Sequence, residues 1–177
     1  MRDDGDASHL APGTKLPSHE LPATDGSVVD LAALPGRSLL IVYPWTGRPG
    51  HPDPPGWDEI PGAHGSTPEL EGFRDRAASF AKLGVRLFGL SRQRTDYQRE
   101  LIARLALPFP ILSDAGGNFS GALALPSFAT GGEIYLKRLT LLIEDGPIER
   151  VFYPVPDPAG HAAEVLRVIA RLDRAIQ

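Results

Sequence analysis

Apolar positions along the chain follow two different periods. The run Leu39-Leu40-Ile41-Val42-Tyr43 is unbroken, the pattern of a strand covered on both faces of a sheet. Residues 85–90, interrupted only by Arg86 and Gly89, read as a second buried strand, and 109–112 as a short one. Between them the period lengthens. Leu70, Phe73, Ala77 and Phe80 recur at i, i+3, i+7 and i+10, one face of a helix, which Gly84 closes. Tyr97, Leu101, Ile102 and Leu105 mark a second helix ending before Pro108. Residues 119–125 predict a short helix, and Val165, Ile169, Leu172 and Ile176 a terminal one. Segments 16–21 and 28–31 flank Asp25-Gly26, while 138–144 and 149–155 flank Asp145-Gly146. Both pairs predict hairpins.

The order is ββ, β, α, β, α, β, (α), β, β, α. Helices between the early strands imply parallel crossovers, and the late hairpin adds antiparallel strands. The expected fold is α/β, with a central mixed β-sheet flanked by helices. The chain has 177 residues, the size of one domain. Residues 13–177 are expected to form it, behind a flexible leader over 1–12. No internal repeat or interdomain linker interrupts the pattern.

One segment fits neither period. Eleven of the 22 residues from 44 to 65 are Pro or Gly. A loop this long in a compact domain is functional or disordered. Its prolines lower the entropy lost on ordering it, and Trp45, Trp57 and Ile60 can pin it to the body.

Composition narrows the chemistry. The formal net charge is −4, and no basic stripe suits nucleic acid or an anionic membrane. No apolar run nears the roughly 20 residues of a membrane helix. The acidic, polar start lacks the pattern of a signal peptide, so a cytoplasmic location is expected. There is no cysteine, which excludes disulfides, thiolate zinc sites and thiol catalysis.

The long loop runs into Gly65-Ser66-Thr67-Pro68-Glu69 at the start of a helix. Free N–H groups and the helix dipole favour an anion at such a point. Ser66 and Glu69 fit a capping box. Thr67 as cap with Pro68 in the first helical position fits equally well. Glu71, Arg74 and Asp75 read as a solvated helix face. His64, two residues before Ser66, can act as base or acid, but no third group at recognisable spacing completes a Ser66–His64 hydrolase. His51 and His64, thirteen residues apart, are a weak ligand pair, and no metal is expected. His9, His19 and His161 are expected at the surface. No Walker A, Rossmann or zinc pattern is present, and no cofactor is expected.

The stretches YPWTGRPG, PPGWDEIPGAHGSTPELEGFRD, FGLSRQ, LPFPILSD and LKRLTLLIEDGPIERVFYPV resemble the peroxiredoxins. These belong to the alkyl hydroperoxide reductase and thiol-specific antioxidant superfamily. The similarity runs from about Pro12 to the end, nearest the redoxin branch of the bacterioferritin comigratory protein type. It implies a thioredoxin-like fold with an N-terminal β-hairpin extension. It also implies a peroxidatic cysteine position at Ser66, a resolving position at Glu71 and an active-site arginine at Arg138. Pro44, Trp45, His64, Gly65, Thr67 and Glu69 are then the implied substrate-binding residues. Ala63 stands where many members carry threonine, and Trp45 where this branch is expected to carry arginine.

In that family a thiolate attacks a peroxide oxygen beside the arginine. A serine hydroxyl is far less acidic and forms no reducible adduct. The chain as written is therefore expected to lack thiol peroxidase activity. Three functions are compatible with this. The first is a Cys→Ser variant of a one-cysteine peroxiredoxin, whose parent uses an external thiol reductant. The second is a naturally cysteine-free redoxin relative with acid–base chemistry on a small, biosynthetic molecule. The third is a non-catalytic binding protein. Expected partners are a hydroperoxide or small organic ligand and a second copy in a homodimer, with neither nucleic acid nor membrane.

Overall fold

The computed structural model describes residues 1–176. In chain order its elements are β1 (Glu20–Pro22), β2 (Val28–Asp30), β3 (Arg37–Val42), α1 (Ser66–Lys82), β4 (Val85–Ser91), α2 (Thr95–Leu105) and β5 (Ile111–Ser113). Then come α3 (Asn118–Ala122), β6 (Ser127–Thr130), β7 (Glu133–Leu136), β8 (Leu139–Glu144), β9 (Ile148–Phe152) and α4 (Pro158–Ile176).

The unbroken apolar run becomes the centre of a five-stranded sheet, ordered β5-β4-β3-β8-β9. β3 and β4 are parallel, as are β4 and β5, while β8 runs antiparallel to both β3 and β9. Alternate side chains of β3 enter opposite cores, which is why no polar position interrupts the run. Leu39, Ile41 and Tyr43 pack with Leu70, Phe73 and Phe80 of α1, Leu101 of α2, and Val165 and Ile169 of α4. Leu40 and Val42 pack with Leu21, Leu31, Phe119 and Leu125 on the other face. This is the thioredoxin-like α/β arrangement, and β1 and β2 pair antiparallel outside the main sheet, Leu21 opposite Val29.

Three features differ from the sequence reading. The expected loose leader is packed down: Ala7 and Leu10 are buried among the Leu40 core. Lys137 Nζ holds Asp4 at 2.9 Å and Asp6 at 2.6 Å, and the Tyr153 hydroxyl donates to Asp4 at 2.7 Å. A further hairpin, β6–β7, turns at Gly131-Gly132, both at positive φ, a two-glycine connector of the kind tight hairpins use. The last helix begins at Pro158, well before its first periodic apolar residue, because proline's fixed φ suits a helix start. Among the described residues, no helix is long and apolar enough to cross a membrane.

Candidate active site

The loop over 44–65 leaves the end of β3 and returns into α1. Its anchor is Trp57, only 3% exposed. Its ring meets Trp45 edge-on at 5.4 Å, Tyr135 at 5.1 Å and Phe128 at 5.6 Å. The β6–β7 hairpin thus braces the loop from outside, and Thr130 Oγ1 donates to the Pro55 carbonyl. At the near end Pro44 is buried. Gln93 accepts from Thr46 N and Oγ1 and donates back to the Thr46 carbonyl. At the far end Gly65 has φ of 110°, and a Cβ there would lie 2.7 Å from Pro158 Cγ. Only glycine allows both the left-handed turn and that approach.

This turn delivers Ser66 to the first position of α1, 4% exposed. Arg138, immediately before β8, reaches across to it. Arg138 Nη2 donates to Ser66 Oγ at 3.1 Å and faces the carbonyls of His64, Ala63 and Gly62 at 3.2, 3.3 and 3.4 Å. Arg138 Nη1 donates to Glu69 Oε1 at 3.1 Å. Both partners of this pair are fully buried. The capping-box expectation is therefore corrected. Gly65 is the cap residue, and no side chain caps the helix start. Glu69 lies one turn on and faces Arg138 instead. Pro68 is the third helical residue, where its missing N–H costs no helical bond.

Burial pushes the Glu69 carboxyl up from 4.5 to about 7, against the pull of Arg138. Removing water from the carboxylate outweighs one close cation here. His161 corrects another expectation. It is 2% exposed rather than at the surface. Its Nε2 lies 2.9 Å from Thr140 Oγ1, and Phe73 meets its ring edge-on. Burial first, then Arg138, lowers it from 6.5 to about 4, so it is neutral at pH 7.

Of the residues singled out from sequence, Trp45, His64, Gly65, Ser66 and Thr67 line one cavity of about 220 Å³. Arg138 meets Ser66 from behind this cavity, and Glu69 holds the other terminal nitrogen of the same guanidinium. The His64 side chain points away: it is exposed, with Nε2 2.5 Å from Asp58 Oδ1. It contributes its carbonyl to Arg138. Glu71 is half-buried on α1, and no ion pair or hydrogen bond joins it to Ser66, Glu69 or Arg138 among the described residues. Thr46 and Asp53 also line the cavity and were missed. Thr46 carries a hydroxyl where Ala63 has none, and its signal was its place just past the buried strand. Asp53, Asp58 and His64 bring ligand atoms within 4.8 Å of one another, all three exposed. Exposed carboxylates meet this way without an ion, and no buried ligand joins them.

The position of Ser66 Oγ is built for negative charge. A guanidinium donates to it, and the N–H groups of Ser66 and Thr67 have no partner further back in the helix, while that of Glu69 already donates to the Gly65 carbonyl. A thiol there would be held as thiolate. An aliphatic hydroxyl stays protonated and accepts the Arg138 bond.

The Redoxin family model matches residues 11–169. Chloroplastic peroxiredoxin Q of Sedum lineare is 25% identical over 176 residues, covering 97% of this chain and 84% of the relative. The crystal structure of peroxidoxin BcpB from Mycobacterium tuberculosis superposes with a TM-score of 0.74 at 25% identity, covering 96% of this chain and 99% of that one. A cysteine-to-serine mutant of PrxQ from Xylella fastidiosa has the same fold, with a TM-score of 0.75 at 22% identity, covering 96% of this chain and 99% of that one. With the family model spanning the sheet, the loop and the helix that carries Ser66, the chain belongs to the redoxin family as a protein of the peroxiredoxin type.

Proposed function

We propose that this protein holds small hydroperoxides in the Ser66 cavity and does not reduce them. It is a peroxiredoxin of the Q and bacterioferritin comigratory type, with serine in the nucleophile's place. The observation that carries this reading is the Arg138 Nη2–Ser66 Oγ bond of 3.1 Å, with Glu69 behind the same guanidinium. A peroxide oxygen entering the cavity beside Ser66 meets the hydroxyl that Arg138 Nη2 donates to from behind, and the N–H groups of Ser66 and Thr67 at the start of α1. These donors stabilise charge as it develops on oxygen.

With sulfur at position 66, the thiolate would attack one peroxide oxygen and break the O–O bond. The other oxygen would leave as alkoxide or hydroxide and take a proton. The sulfur would become a sulfenic acid; one external thiol would displace water to form a mixed disulfide, and a second thiol group would release the protein thiol and leave as the external disulfide. With oxygen at position 66 no such oxidation is open, and the cycle stops at binding.

The test is Ser66→Cys. The variant is expected to consume hydrogen peroxide with dithiothreitol as reductant, while the unaltered chain stays at the buffer rate. With Glu71 in the resolving position, each chain should carry one dimedone-reactive sulfenic acid after a single peroxide pulse. A Ser66→Cys protein that folds normally and consumes no peroxide above buffer overturns the reading.

A further inference from the structure

A second cavity, of about 360 Å³, shares no lining residue with the one at Ser66. Its walls are apolar: Ile60 and Pro61 from the long loop, Phe128 from β6, and the ring of Tyr153. Cations stand around it. Arg138 and Lys137 line it from the strand side, and Arg2 lines it from the N-terminal segment. Lys137 is matched by Asp4 and Asp6, whereas Arg2 makes no ion pair among the described residues. Arg138 commits both terminal nitrogens to Ser66, Glu69 and the loop carbonyls, yet its Nε is buried with no hydrogen-bond partner.

A buried N–H on a charged group is rarely left without an acceptor. Apolar walls of this extent with a few polar groups are the usual make-up of a small-molecule site. With Arg2 unpaired among the described residues, Arg138 in the wall and Lys137 already matched, the lining suits an acceptor with a single negative charge. Asp4 also lines the cavity, and its carboxylate opposes a dianion such as phosphate more strongly than a monoanion. The loop, β6, the Lys137–Arg138 pair and the N-terminal segment therefore enclose a site with one charged side and one greasy side.

We propose that this cavity binds a small monocarboxylic acid with an aliphatic or aromatic body. The carboxylate faces Arg138 and Arg2, and the body lies on Ile60, Pro61, Phe128 and Tyr153. Because Met1, Arg2 and Asp4 form part of the enclosure, the occupied site holds the N-terminal segment down. The inference is independent of what Ser66 does.

Calorimetric titration of the full chain with octanoate, octan-1-ol and acetate tests it. Octanoate is expected to bind roughly tenfold or more tighter than either the uncharged alcohol or the short acid. Ile60→Asp should abolish octanoate binding. Arg2→Ala, at an exposed position that does not threaten folding, should weaken it several-fold. Ser66→Ala should leave it within twofold. Amide exchange of residues 2–10 should slow when octanoate is present. The proposal is overturned if octanoate does not bind, or binds no better than octan-1-ol. It is equally overturned if Arg2→Ala and a folded Ile60→Asp both bind as the parent does, or if Ser66→Ala abolishes binding.

Discussion

Arg138 divides its terminal nitrogens, with Ser66 and a run of loop carbonyls at Nη2 and Glu69 at Nη1. Removing it strands the Glu69 carboxyl in a dry site. Arg138→Met should therefore cost about 3 kcal/mol or more in urea unfolding at pH 8, and less at pH 5, where Glu69 takes a proton. Glu69 and His161 set the pH dependence of folding with opposite signs. Glu69 rises from 4.5 to about 7 on folding. Across that window the folded chain keeps a proton that the unfolded chain releases, so stability falls as pH rises. His161 falls from 6.5 to about 4. There the unfolded chain takes up the proton, so stability falls as pH drops. The windows overlap between pH 4.5 and 6.5, and the two slopes offset each other. Glu69→Gln should unmask the His161 slope, a loss of up to about 3 kcal/mol on acidification through that range. His161→Gln should unmask the opposite slope. Urea midpoints at a series of pH values read both, and parallel curves for the two variants would contradict the assignment. Neither role was legible in sequence. Ser-x-x-Glu at a helix start has a local explanation in the capping box, and only the partner some seventy residues away shows otherwise. His161 sits on a helix whose start the apolar period placed too late.

At the scale of elements, the loop over 44–65 is ordered by its two ends and one aromatic pin. Gly65→Ala would force a side chain into a left-handed φ and against Pro158, at a cost of roughly 1–3 kcal/mol. Its melting temperature should drop, and the Ser66→Cys activity should fall in the same background. Trp57→Ala empties the aromatic cluster beneath the loop. The loss should be about 3–5 kcal/mol, with limited proteolysis now cutting between residues 44 and 65. Unchanged cleavage in Trp57→Ala would show that the proline-rich chain holds itself. The strands and helices of the main sheet could be read because each buries a full face or stripe. The β6–β7 hairpin could not. Its strands are four residues each, exposed or half-buried at most positions, so burial wrote little alternation into them. Gly131-Gly132 was the available signal.

For the whole molecule, the parallel β3-β4-β5 half and the antiparallel β8–β9 edge follow from element order alone, and so does the place where the loop meets α1. The N-terminal segment does not. Its sequence is polar, and only Ala7 and Leu10 carry the apolar contact, too few to form a period. Leu10→Ala should still cost about 2–4 kcal/mol, since it empties a core position, and its thermal midpoint would check this. The central claim is that Arg138 and the start of α1 make position 66 a site for a reactive thiolate, although serine stands there and Trp45 and Ala63 also depart from the family pattern. The most direct measurement is the rate at which the Ser66→Cys thiol is oxidised by hydrogen peroxide at pH 7, native and in denaturing urea. The account predicts that the native thiol reacts faster by about a hundredfold or more, as Arg138 and the helix start hold the thiolate and stabilise the leaving charge. Equal rates in the native and unfolded chains would contradict it.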